Sequence, residues 1–354
     1  MKIQFKTRSL NSGIALIIVL IVIVVLGVLA IGFGSAMKVE TTLARHASFN
    51  SELDWLGRSG VEYARWMLSQ NCPSEPYESL NQVWAGGPGG TCTNLDVQTE
   101  VQVGNGSFTW KITDLDRKFN INRADEMILR QALTLIGADA GTMTTIVNSI
   151  LDWRDPDSNP RMSGTESEVY EQQDPPYMAK DGPIDDLSEL LLIRGVSPAM
   201  YWGAAGGGLP SIFNRPQGGL KSHFEEPTYA VGLVDLFTPL SGPGININTA
   251  SATVLQLIPV IDENIAQAII QRRAGPDGQD GTFDDTPFRS AAEISGLPGI
   301  PPGALQQFTG LFSTRSQIFQ VEVTATIGSS KRVYVAILRR AGAKDTVVLN
   351  LYWK

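Results

Sequence analysis

The sequence predicts an α+β architecture: a long amino-terminal helix packed on an antiparallel sheet, with a large all-α domain inserted between the strands. Three observations lead there. Residues 14–70 contain no proline and are apolar first continuously and then at helical spacing. Five alternating runs, two before Asp114 and three after Thr314, read as strands. Between them the pattern Asn-Ile-Asn-x-Ala occurs twice, at Asn120–Ala124 and Asn246–Ala250, which marks a duplicated helical unit.

The chain has 354 residues, enough for two or three domains, and a formal net charge of -8. This acidic balance argues against a general binder of nucleic acid or anionic membranes, which needs a basic face. Lys2, Lys6 and Arg8 open the chain, and no charge occurs from Ser9 to Met37. As a helix, Ile14–Phe33 reaches about 30 Å and crosses a bilayer core. The preceding basic residues then stay cytoplasmic. Three readings compete. A secretory signal peptide has a shorter apolar region and small residues at its cut site, which this run lacks. A plain membrane anchor fits, and so does a prepilin-type leader of residues 1–13, whose cut falls between Gly13 and Ile14.

The helix continues past the apolar run (14–34), with Val39, Leu43, Ala47, Leu53, Leu56, Val61, Ala64, Met67 and Leu68 near helical spacing, until Asn71-Cys72-Pro73 ends it. Cys72 and Cys92 flank a glycine-rich loop. In an oxidising compartment a bridge across it stabilises by about 3 kcal/mol; two free buried thiols are the alternative. Asp96–Val103 and Ser107–Thr113 alternate around an Asn105-Gly106 turn signal, and Ile318–Ile327, Arg332–Leu338 and Val347–Trp353 alternate again. The rest of the long helix and the first strands thus occupy 35–113, the insertion 114–314 and the last strands 315–354.

Within the insertion the two copies span about 114–200 and 240–312. In each, Asn before Ala and an apolar run reads as a helix start. Met127–Ile136 and Met143–Trp153 in the first copy correspond to Thr253–Ile258 and Glu263–Arg272 in the second. Glu189 and Gly195 correspond to Glu293 and Gly299. Such Gly-hydrophobic turns also occur in helix-hairpin-helix modules that grip DNA phosphates. Here, however, residues 152–189 hold eleven acidic residues against Arg154, Arg161 and Lys180, which repels a phosphate backbone.

The densest carboxylates lie in two loops. Asp155, Asp157, Asn159 and Glu166 occupy the first, third, fifth and twelfth positions of a segment, the ligand spacing of an EF-hand loop, although Pro160 stands where that motif has glycine. Asp277, Asp280, Asp284 and Asp285 cluster around Asp-Gly pairs. Hard oxygen donors without His or Cys favour calcium; a solvated acidic surface is the alternative. Common hydrolase, phosphate-loop and dinucleotide motifs are absent, and His46 and His223 have no nucleophile pattern nearby, so the sequence does not read as an enzyme.

Gly13-Ile14-Ala15-Leu16-Ile17, the Asn-Ile-Asn-x-Ala pair, Asp152-Trp153-Arg154-Asp155, Gly164-Thr165-Glu166 and Pro243–Ala250 together resemble the K family of minor pseudopilins in type II secretion systems. Most pilin-like subunits carry Glu at the fifth position after the cut, where this chain has Ile18. In this family the missing Glu is usual, which suits a tip position. The resemblance implies a pilin-like fold with an inserted domain of duplicated helical (SAM/helix-hairpin-helix-like) units. It implies prepilin peptidase cleavage after Gly13, methylation of the Ile14 amine and structural calcium in the inserted region. It places the chain in the bacterial inner membrane as a single pass, with its amino terminus cytoplasmic and its body periplasmic. The implied partners are the other minor pseudopilins, the major pseudopilin and prepilin peptidase, with no nucleic acid. The implied role is to cap and initiate the pseudopilus for protein export; a minor pilin of a type IV pilus or DNA-uptake machine is the alternative.

Overall fold

The computed structural model describes residues 11–70, 75–89, 97–204, 229–300, 303, 306–342 and 345–354. The leader up to residue 10, the Cys72–Cys92 pairing and His223 lie outside the described residues, as does the side chain of His46. Helix α1 runs unbroken over Asn11–Ser69. Its Leu16–Thr41 part is long and apolar enough to cross a membrane, and no other described part of the chain covers it.

A hairpin follows, β1 (Glu100–Val103) and β2 (Gly106–Asp114). Val103 pairs with Gly106, so the two turn residues are Gly104 and Asn105, one position earlier than the Asn-Gly signal indicates. Gly104 has φ 60°, the left-handed conformation that the first turn position of a tight hairpin needs. The insertion then contains β3 (Phe119–Asn120), α2 (Glu126–Ile136), α3 (Ala140–Arg154), α4 (Ser167–Tyr170), α5 (Pro198–Trp202), α6 (Leu233–Leu236), β4 (Phe237–Thr238), β5 (Ile245–Asn246), α7 (Ala252–Leu255), α8 (Glu263–Arg273) and β6 (Phe312–Ser313). Strands β7 (Ile318–Ile327), β8 (Ser330–Arg340) and β9 (Thr346–Trp353) close the chain.

The main sheet has the order β1-β2-β7-β8-β9 and is antiparallel throughout. Strand β2 pairs with β7, with Asp114 opposite Phe319. The insertion therefore leaves and re-enters at one end of two adjacent central strands. Period-2 alternation puts Phe108 and Ile112, then Phe319, Val321, Val323 and Ala325, on the face that α1 covers with Leu53, Leu56, Val61, Ala64, Met67 and Leu68. Two helix glycines allow the close approach: a Cβ on Gly57 would lie 2.3 Å from the Tyr334 ring, and one on Gly60 would lie 2.4 Å from Val323.

The insertion has its own apolar core, continuous from Phe119 to Phe312 and shared by both halves. It is not all-α, because β3 pairs with β4 and β5 with β6 in two short parallel ladders. Nor does either Asn-Ile-Asn-x-Ala segment start an α-helix. Asn120 and Asn246 each accept a bond from the amide two residues on, both at 2.9 Å, which bends the chain into a tight turn instead. The helix caps come next: Asp125 accepts from the Ile128 amide and Ser251 from the Val254 amide. The second Asn of each pattern spans a gap within its half. Asn122 makes two bonds of 2.8 Å with the backbone of Ile184, and Asn248 makes bonds of 2.9 and 2.8 Å with that of Phe288. One arginine then closes each turn. Arg154 donates to the carbonyls of Ile121 and Ala124, and Arg273 to those of Ile247 and Ala250.

Candidate calcium loops and docking face

The first acidic loop hangs between the end of α3 and the start of α4. Asp152, in the last turn of α3, is completely buried and accepts from Arg161 (2.7 Å) and the Thr165 amide (2.9 Å). A Cβ on Gly164 would fall 1.9 Å from an Asp152 oxygen, so only glycine lets the loop fold back over that carboxylate. Asp155 pairs with Arg161 through one oxygen, and its Oδ1 is buried without a partner. Asp157 lies on the rim and accepts from the backbone and side-chain nitrogens of Asn159, which hold its carboxyl below the usual range. Glu166, at the start of α4, is 5% exposed, and neither of its oxygens has a partner. Burial first, and then the charges of Asp152, Asp181, Asp155 and Asp157, push its carboxyl up to about 7. Asp181, with φ 49°, also buries an unpartnered oxygen.

The fold thus draws Glu166 and Asp155 towards Asp152 and Asp181, leaves Asp157 at the edge and turns the Asn159 amide onto Asp157. Asp152 and Asp181 fall outside the 155–166 spacing pattern, which is why sequence reasoning missed them; an acid ending a helix and one in a later turn carry no ligand signature. Buried, like-charged oxygens without donors are costly unless a cation or a proton satisfies them. Their hard-oxygen chemistry suits calcium. As placed, Arg161 supplies positive charge there, and no group of three or more His, Cys, Asp or Glu side chains among the described residues is gathered to hold an ion.

The second loop differs. Both oxygens of Asp280 are taken by Arg273, at 2.9 and 2.7 Å. Asp277 accepts from the Gln279 amide, Asp284 from the Asp277 amide and the Thr282 hydroxyl, and Asp285 from the amides of Gly281 and Thr282. These bonds hold the Asp284 carboxyl below the usual range, the Thr282 hydroxyl contributing most. The four carboxylates expected to face one centre are each turned, in whole or part, to a donor of the protein.

A second surface lies on α1, opposite the sheet. Trp55 and Trp66, 70% and 42% exposed, are three helical turns apart and so share one side, with Arg58 and Glu62 between them. Glu62 pairs with Arg65 at 2.8 Å.

Comparison with known proteins finds two family models. Residues 111–203 match the type II secretion system protein K model, and residues 241–313 match a helix-hairpin-helix motif. The type II secretion system protein K of Klebsiella pneumoniae is 28% identical over 210 residues, 54% of this chain and 60% of that protein. The alignment with this first relative thus spans about 60% of its length. The protein of that name from Pseudomonas aeruginosa is 25% identical over 94% of this chain and 90% of its own length. Among solved structures, the crystal structure of the GspK-GspI-GspJ complex from enterotoxigenic Escherichia coli contains a chain matched with a TM-score of 0.64 at 17% identity, covering 88% of this chain and 99% of that one.

Proposed function

From the premise that this chain is a relative of type II secretion system protein K, we propose that it is a minor pseudopilin at the tip of a secretion pseudopilus. The observation that carries the reading is the continuity of α1: one helix is apolar and uncovered over Leu16–Thr41, then packs on the sheet by one face and exposes Trp55 and Trp66 on the other. A body held this way stands beside a membrane while its helix lies parallel to neighbours of the same build. The insertion, joined at one end of the sheet, is bulky enough to prevent a further subunit from stacking above it. That supports capping and, with the other minor pseudopilins, initiation of a filament for protein export. The same reading carries cleavage after Gly13, methylation of Ile14 and a periplasmic body. We read the matching Asn and Arg bonds of the two halves as one duplicated unit.

Calcium belongs to the proposal at the first loop, where Glu166, Asp155 and Asp181 have oxygens to offer and Asp152 backs them. A bound ion would satisfy the unpartnered oxygens of Glu166, Asp155 and Asp181 and add to the positive charge that Arg161 already brings to Asp152 and Asp155. The second loop, bonded within itself and to Arg273, is the weaker of the two candidates.

Affinity purification of the full chain from its native membranes tests the reading. It should recover the other minor pseudopilins, and mass spectrometry should find methylated Ile14 as the first residue. Retention of Met1–Gly13 in a host with prepilin peptidase refutes the pseudopilin reading. The helix-hairpin-helix match favours one alternative, a minor pilin of a DNA-uptake machine. A gel shift with duplex DNA at about 0.15 M salt separates the two, since the acidic insertion should give none.

A further inference from the structure

The joint between sheet and insertion is built on buried charge. Asp114, Asp116 and Glu78 are 2%, 2% and 4% exposed. Asp114 ends β2, Asp116 begins the outgoing crossing, and Glu78 belongs to the segment after α1. One Asp114 oxygen accepts from the Ser316 hydroxyl (2.6 Å), the Thr249 hydroxyl (2.5 Å) and the Asn246 side-chain Nδ2 (3.3 Å); the other accepts from the Asp116 backbone amide (2.8 Å). Asp116 accepts from the backbone amides of Gly242, Gln317 and Ile318. Glu78 pairs with Arg340 and accepts from the Ser316 amide. Arg340 also holds the Leu68 carbonyl at the end of α1. Arg315, at the edge of the cluster, donates to the Pro76 carbonyl. Both crossings, the second half of the insertion, α1 and β8 are therefore tied to one knot of side chains.

We propose that this knot is a proton-dependent clasp, tight when Asp114 is neutral and looser when Asp114, Asp116 and Glu78 are all ionised. The bonding pattern says where the proton goes. Asp116 receives only backbone N–H groups, which cannot accept a proton in return. Asp114 faces two hydroxyls, and a hydroxyl can donate or accept by rotating. A proton on Asp114 is thus taken up without breaking the knot, whereas full ionisation leaves three buried negative charges against Arg340 with Arg315 at the rim. Burial first, and then the charge of Asp116, push the Asp114 carboxyl up to about 7, and burial also raises Asp116 and Glu78. A carboxyl raised in the folded state strengthens folding as pH falls and loses that contribution as pH rises through about 7. Proton concentration thereby sets how firmly the insertion is held to the helix-bearing body.

The test is hydrogen exchange of the full chain in detergent micelles, corrected for intrinsic rates, on peptides covering residues 112–118 and 312–320. Protection in the wild type should fall on the order of thirtyfold between about pH 5.5 and 8.5, from tenfold per unit below the transition. Asp114→Asn, close in shape but unable to titrate, should show a much smaller step, carried by the raised Asp116 and Glu78 that remain. Infrared spectroscopy separates the two carboxyls raised to about 7: in Glu166→Gln, which leaves the joint untouched, a protonated-carboxyl band from Asp114 should still titrate with a midpoint near 7. Joint protection that does not change with pH, an equal step in Asp114→Asn, or no carboxyl band titrating above the ordinary carboxylate range in Glu166→Gln overturns the proposal.

Discussion

Replacing Arg273 by Met is the sharpest perturbation of the insertion. The side chain is 5% exposed. Its guanidinium bonds the Ile247 and Ala250 carbonyls at 2.7 and 2.8 Å and grips Asp280 with two further bonds. Methionine preserves most of the buried stem and deletes the donors, leaving two buried carbonyls without partners and the Asp280 carboxylate, on the exposed loop, to solvent. Leaving two buried carbonyls without their donor costs about 1–3 kcal/mol apiece, and the exposed carboxylate adds less. In a unit of roughly 200 residues that lowers Tm by on the order of 10 °C. Thermal melting of the full chain in detergent should show this loss. Arg154→Met, whose arginine lacks a carboxylate gripped by two bonds, should lose less. A double-mutant cycle with Asp280→Asn should give a coupling of about 1 kcal/mol or more. A loss below about 1 kcal/mol for Arg273→Met, or strict additivity with Asp280→Asn, refutes the argument that this arginine locks the turn. Asp280→Asn also tests the weaker calcium candidate: with Asp280 engaged by Arg273, neutralising it should leave the response to calcium unchanged.

Other outcomes follow from the same geometry. Calcium at 100 times its dissociation constant should add about 2.7 kcal/mol to stability, a rise of several degrees that a chelator reverses and Glu166→Gln removes; a wild type indifferent to chelator ends the calcium reading. Gly57→Ala should cost about 1–3 kcal/mol, because its methyl meets the Tyr334 ring, while Gly27→Ala, with nothing within 4 Å, should melt as the wild type does. Trp55→Ala combined with Trp66→Ala should change stability by only about 0.5 kcal/mol yet sharply reduce recovery of partner pseudopilins; undiminished recovery shows that this helix face is not the docking surface.

What the sequence determined by itself is periodic and local. The uncharged apolar run, the proline-free helix beyond it, the alternation of five strands and the repeated Asn-Ile-Asn-x-Ala all depend on residue type at fixed spacing, and the fold keeps each as an element or a turn. Sequence reasoning failed where a side chain chooses between local and distant partners. The two Asn-Ile-Asn-x-Ala segments read as the starts of α-helices, but the Asn120 and Asn246 oxygens bond the amide two residues on and bend the chain, Asn120 capping only a short 3-10 turn. The extended residues before those turns then pair with strands far away in sequence, making an insertion expected to be all helical partly β. Carboxylates are the extreme case, because an acidic loop looks the same whether its charges face water, an ion or an arginine. Only packing decided that Asp280 goes to Arg273, that Glu166 is left without a donor beside Asp152 and Asp181, and that Asp114 is sealed into the joint. The reason is physical: burial sets the cost of a charge, and burial is a property of the assembled chain.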